Sequence, residues 1–260
     1  MWTIIQTELL KLKRKKMMLF IFILTTLLSI LAIERACSIS RSSSYMDSFG
    51  DLYTLAFKNL GMVFLPTVIG MFTTSLFFDE HKNDTLKELL IIPISKGRLY
   101  FSKIITVFML SLEICLYTWI LTVLSGFIAG GFPDLNTQTI WQSFILFAEG
   151  GILIPFAMLP ITFLAVLGQK GYLMSIGATL LYLFPVIVLP VPLMGIHPLA
   201  SALCIYSQSS EASAGMVNSL SQVTERTASS TGYGACLINI VLIGTISSVF
   251  SIIALKKQEL

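Results

Sequence analysis

Long apolar runs alternate with short polar connections along the whole chain. Six runs are long enough to cross about 30 Å of hydrocarbon as helices, which takes about 20 residues each. They fall near Met17–Ile33, Leu60–Phe78, Ile104–Gly130, Ser143–Leu167, Tyr172–Met194 and Ala235–Leu255. The first is short, so tilt, or snorkelling of the lysines before it, has to make up the length. The expected fold is an all-α polytopic membrane protein with six transmembrane helices. Ahead of the lysines, Trp2, Ile5, Leu9 and Leu12 recur at helical spacing. They predict an amphipathic helix over residues 1–16 lying in the membrane interface. The six-span region then covers 17–260, with a polar connection at 79–103 and a long polar segment at 195–234. That last segment opens with Pro190, Pro192, Gly195 and Pro198, which forbid a straight continuing helix. It reads either as a plain linker or as a re-entrant or surface-lying helix pair.

One polar island breaks the pattern. Asp79, Glu80, His81, Lys82, Asp84, Lys87 and Glu88 crowd into ten residues, and Pro93-Ile94-Ser95-Lys96-Gly97-Arg98 follows. Only 12% of the chain is charged and 55% is hydrophobic. A soluble domain carries about a quarter charged residues, and the mean hydropathy is +0.84. The island is therefore where this chain meets water, and with it a soluble partner.

Orientation follows from the distribution of Lys and Arg between alternate loops. Lys11, Lys13, Arg14, Lys15, Lys16, Lys82, Lys87, Lys96, Arg98, Lys103, Lys170, Lys256 and Lys257 fall on one side, 13 in all, against Arg35, Arg41, Lys58 and Arg226 on the other. Both termini and the island are expected in the cytoplasm, with 195–234 outside. A basic stretch before an apolar run also suits a signal peptide. Glu34 and Arg35 spoil the cleavage box before Ala36-Cys37, so the first helix is expected to stay uncleaved.

The chemistry of the chain is sparse. No GxxxxGK[ST] loop is present to hold nucleotide phosphates, and no HExxH or GxSxG motif occurs. The chain is not expected to be an enzyme, to bind a metal or to carry a cofactor. His81 and His197 fall on opposite sides in this topology. Cys37, Cys115, Cys204 and Cys236 show no CxxC spacing; a Cys204–Cys236 bridge stays open if both face outside. Two carboxylates lie inside apolar runs: Glu113 in the third and Glu149 in the fourth. A carboxylate in hydrocarbon is costly, so each needs a polar partner, a bundle interior or a water-filled path. Each reads as a substrate-path contact or as a hydrogen-bonded packing residue. Gly150, Gly151, Pro155, Pro160, Gly168, Gly171, Gly177 and Pro185 suit close helix contact and kinks.

The order of motifs around the island resembles the cytoplasmic coupling-helix region of type-2 ABC transporter permeases. An acid follows the second run (Glu80). A turn residue and Thr come next (Asp84-Thr85), then a short Leu-rich helix (Leu86-Lys87-Glu88-Leu89-Leu90). Pro93-Ile94-Ser95-Lys96 ends it, and Lys103 opens the third run. The usual Gly before Thr is Asp84 here. Either residue is able to cap the helix that follows, and Pro93 stops it. The resemblance covers the whole chain. Its length and its Ile-Ile-Gln-Thr-Glu-Leu-Leu-Lys-Leu-Lys opening are similar to permeases of lantibiotic-immunity and bacitracin-resistance exporters, and to those exporting phenol-soluble modulins.

The resemblance implies an elbow helix at 1–16 and a coupling region at 79–103. Glu80, Asp84, Thr85, Lys87, Glu88 and Leu89 would meet a cytoplasmic ABC ATPase subunit, which holds the ATP and Mg that this chain lacks. It also implies a second permease subunit, identical or related, in a bacterial cytoplasmic membrane. Amphipathic antimicrobial or cytolytic peptides would leave the cell or the bilayer along a path near Glu113 and Glu149. Membrane lipid is an expected partner and nucleic acid is not. A proton-coupled secondary transporter working through Glu113, and an efflux permease for lipid or drug, are the alternatives. An intramembrane enzyme would need clustered His, Asp or Ser at one depth.

Overall fold

The computed structural model describes residues 5–7, 10, 16–42, 48–82, 96–129, 132, 134–167, 172–189, 193, 195–209 and 233–257. Among them every regular element is helical. Helix α1 covers Lys16–Ser42, α2 Phe49–Asn59, α3 Leu65–Lys82, α4 Lys96–Ala129, α5 Thr137–Ala157, α6 Leu159–Leu167, α7 Tyr172–Val188, α8 Pro198–Ser209 and α9 Tyr233–Lys257. Three stretches of the described residues are long and apolar enough to cross a membrane: Gly97–Ile128, Thr137–Leu167 and Gly234–Leu255. Three shorter apolar helices, Met18–Leu31, Leu65–Phe78 and Ile176–Val188, lie where the sequence predicts the other runs. Within residues 1–15 the predicted interfacial helix is described only at Ile5, Gln6, Thr7 and Leu10, and Lys16 already begins α1. All four are helical; Ile5 is buried and the others are exposed.

The second run begins earlier than its hydropathy suggests. Residues 49–59 mix Asp51 and Lys58 with apolar side chains, yet they fold as α2. Phe49, Leu52, Tyr53, Ala56 and Phe57 form one buried face. The N-terminus of α2 is doubly capped. Ser48 Oγ accepts from the Asp51 N–H at 3.1 Å. From a distant loop, the Asp134 carboxylate accepts from the Phe49 N–H at 2.7 Å and the Gly50 N–H at 3.1 Å. A carboxylate there satisfies free donors and suits the positive helix end. A π-helical turn, Leu60–Phe64, joins α2 to α3. Pro66 has no N–H to give, and the Leu65 N–H reaches five residues back to Leu60.

The fourth run is broken into α5 and α6 at Met158. Pro160 leaves the Phe156 carbonyl without its usual donor. The Ile161 N–H turns to Met158 O at 3.0 Å. That frees the Ala157 carbonyl, which accepts from Tyr182 Oη of α7 at 2.6 Å. The carbonyl freed at this break is thus satisfied by a neighbouring helix, as a membrane interior requires.

The core lies where α4 and α5 run along each other, with α2 and α8 packed on α5, and α3 on α6 and α7. Helix α9 covers α6 and α8, and α1 flanks α2 and α4. Glycines set two crossings. A Cβ on Gly150 would stand 2.1 Å from Phe57 Cζ, and one on Gly70 2.2 Å from Thr179 Cγ2. Phe57 meets Phe147 edge to face at 5.1 Å between centroids. Opposite this core, α1 and α9 turn large apolar side chains outward, among them Phe20, Ile23, Leu27, Leu242, Val249 and Phe250. The segment read as a long polar loop contains α8, whose residues from Pro198 to Ile205 are mostly buried.

Candidate functional site

The island is bracketed by the end of α3 and the start of α4. Glu80 lies in the last turn of α3, where only the backbone is described. Asp84, Thr85, Lys87, Glu88 and Leu89 lie outside the described residues. The helix ends that hold this segment are tied together. Lys103, two turns into α4, is 1% exposed. Its Nζ donates to the Leu76 carbonyl of α3 at 2.5 Å and lies 4.8 Å from the centre of the Phe77 ring. Tyr100, one turn earlier, is buried against Phe77 and Phe101. Its hydroxyl shares a 3.3 Å hydrogen bond with Thr162 of α6. An apolar cluster of Phe77, Tyr100, Ile104, Leu159, Ala165, Val166 and Leu255 surrounds this knot.

The two membrane carboxylates are not brought into one site. Glu113 stands on the exposed face of α4. Four residues on, Tyr117 is tied to α1 through a 2.9 Å hydrogen bond with Thr26 and an edge contact with Phe22. Glu149 is half-buried in a small open cleft lined by Phe57, Leu146, Leu153, Ala202 and Leu203, and Glu113 is not among its walls. A carboxylate at mid-helix in an apolar run is costly unless it meets water or a polar group, and among the described residues Glu113 faces outward. Among the described residues no group of His, Cys, Asp and Glu is able to hold a metal ion.

A second polar knot closes the opposite end. Gly195 takes φ 81°, the left-handed region that suits glycine, at the corner between α7 and α8. Its N–H donates to Ser201 Oγ at 3.1 Å, and Asn239 of α9 donates to the Gly195 and Ile196 carbonyls at 2.8 and 3.2 Å. His197 lies against Tyr182, with 4.3 Å between ring centroids. Its Nδ1 accepts from the Leu199 N–H at 3.3 Å, so the neutral ring carries its proton on the other nitrogen. Burial holds the imidazole below its usual value, and a hydrogen bond to the Tyr182 main chain partly opposes this. Nearby, Cys204 of α8 and Cys236 of α9 are buried free thiols in hydrogen-bonding contact. Burial first, then Cys236, pushes the Cys204 thiol up to about 12.

Sequence reading alone missed Asp134, Asn239 and the burial of Lys103. A lysine at the very start of a long apolar run was a usable signal for the last. The other two act on backbone groups far away in sequence, and nothing local marks them.

Residues 4–186 match the ABC-2 family transporter protein family, from the N-terminal segment to the end of α7. Over 130 residues the chain is 35% identical to the Bacitracin transport permease protein BCRB of Bacillus licheniformis, covering 49% of this chain and 62% of that protein. The chain thus spans less than two thirds of the length of this curated relative.

Proposed function

We propose that this chain, which belongs to the ABC-2 transporter family, is the membrane-spanning permease subunit of an ATP-driven exporter. Its substrates would be amphipathic antimicrobial or cytolytic peptides, with ATP hydrolysed by a separate cytoplasmic subunit. The family match over 4–186 carries this reading. Likeness to a bacitracin transport permease favours a membrane-active peptide as the cargo. Six spans with both termini in the cytoplasm fit the three long apolar helices and the three shorter ones. Helix α1 has 27 residues and is therefore ~40 Å long at about 1.5 Å per residue, enough to cross. The exposed face around Glu113 then meets a second permease subunit, identical or related, with Glu113 and Glu149 along the substrate path. The island from Asp79 to Arg98 docks the ATPase subunit through Glu80, Asp84, Thr85, Lys87, Glu88 and Leu89.

Affinity purification of the chain from its own membrane tests the partner. An ABC ATPase subunit should accompany it, and reversal of both Glu80 and Glu88 to Lys should weaken assembly or uncouple hydrolysis. Wild-type assembly and coupling in that variant would sink the docking assignment. Deletion of the gene should raise sensitivity to bacitracin or a related peptide, with E113Q and E149Q giving partial losses of protection. Protection that survives ATP depletion under a maintained proton gradient would favour a proton-driven transporter instead.

A further inference from the structure

Lys103 is a costly choice of residue for its position. An apolar cluster lies beside it, and a methionine or leucine would fill much the same space without taking an ammonium out of water. An unbonded charge there is strongly disfavoured. Its partners include the Leu76 carbonyl at 2.5 Å and the Phe77 ring at 4.8 Å. Both belong to the last two turns of α3. A carbonyl inside a helix has a second lone pair to offer, and the aromatic face attracts a cation. Tyr100, on the same face of α4, extends the tie to α6 through Thr162. Apolar contacts between helix ends allow sliding, whereas a directional charged hydrogen bond does not.

The location gives this tie its meaning. Chain leaving α3 enters the island, and chain leaving the island enters α4. Residues 83–95 therefore join the described bundle in sequence at these two helix ends. The Nζ–Leu76 O bond, beside the Phe77–Tyr100 contact, ties α3 to α4 at these ends.

We propose that Lys103 is the positioning residue that transmits movement of the island to the transmembrane helices, locking α3 to α4 so that a push from the cytoplasmic subunit turns both. This rests on the exporter reading above. The test uses the full complex in membrane vesicles, with a reporter cysteine, I128C, near the far end of α4, where Ile128 is 86% exposed. Its maleimide labelling rate is read by peptide mass spectrometry, nucleotide-free and after ATP-vanadate trapping. The Lys103-containing complex should show a several-fold rate difference between the two states. K103M should lose that difference while keeping its ATPase subunit and its hydrolysis rate, and K103R should restore it.

A difference that persists in K103M overturns the proposal. So does a Lys103-containing complex that hydrolyses ATP with no difference at position 128, or K103R failing to restore one. Loss of the ATPase subunit from K103M and K103R alike also overturns it, because the residue then serves folding alone. If the Lys103-containing protein carries no ATPase subunit, the exporter reading itself fails and takes this assignment with it.

Discussion

Replacing Gly70 by alanine drives a methyl group into Thr179 at the crossing of α3 and α7. The new Cβ would stand 2.2 Å from Thr179 Cγ2, 2.8 Å from Oγ1 and 3.1 Å from Cβ. Carbon atoms rest at about 3.5–4.0 Å, so the overlap with Cγ2 is roughly 1.3 Å. Thr179 is 1% exposed and its branched side chain is stiff at χ1 in a helix. Relief therefore requires the helices to part or Thr179 to leave its rotamer. Overpacking of this kind costs about 1–3 kcal/mol, and an overlap beyond 1 Å belongs at the upper end. Alanine regains about 1 kcal/mol of helix propensity over glycine. The expected net loss is about 2 kcal/mol, roughly thirtyfold in the folding equilibrium. T179A removes Cγ2 and Oγ1, the two nearest atoms. The double variant should therefore be more stable than the sum of the single effects by about 1 kcal/mol or more. Unfolding in mixed micelles with rising denaturing detergent, followed by tryptophan fluorescence, measures all four proteins. Equal stability of G70A and the parent protein, or strict additivity in the cycle, would refute this crossing.

Three further outcomes are expected. D134A removes the acceptor of two N–H groups at the start of α2 and should cost about 1–2 kcal/mol; an unchanged midpoint in the same unfolding assay would show that this end is satisfied otherwise. His197 is held below its ordinary value by burial, so the unfolded chain takes up a proton before the folded one does. Stability should be full above about pH 7 and fall as the pH drops through about 6.5 toward the folded value; H197Q should flatten the dependence, and a flat parent profile would refute it. The Cys204 and Cys236 thiols are in contact, so mild copper-phenanthroline oxidation should join them within one chain. The joined species should be absent from C204S, and its absence from the parent protein would contradict the packing of α8 on α9.

Much of the fold was legible because lipid imposes a simple rule: an apolar run of sufficient length becomes a helix. The runs at 104–130, 143–167 and 235–255 coincide with long apolar helices for that reason. Residues 49–59 escaped the rule because Asp51 and Lys58 lower their hydropathy, while the periodicity of Phe49, Leu52, Tyr53, Ala56 and Phe57 carried the signal. The break at Met158 was half legible. Pro155 and Pro160 announced a kink, but the Tyr182 hydroxyl that takes up the freed carbonyl lies 25 residues from Ala157 in sequence. Glu113 and Glu149 drew notice as rare charges, yet nothing local said that one faces outward and the other a cleft against α2 and α8.

Composition and periodicity by themselves determined that this chain is a membrane protein built from helices, and the order of motifs around the island pointed to the ABC-2 permeases. These are properties of neighbouring residues and of transfer between water and lipid, so they are written locally. Only the tertiary structure decided which polar groups are partnered: Lys103 with the Leu76 carbonyl, Asp134 with the first turn of α2, Asn239 with the corner at Gly195. Each of those pairs joins residues far apart in sequence. The free energy of a buried hydrogen bond depends on where its partner lies in space, and that is settled only when the helices have packed.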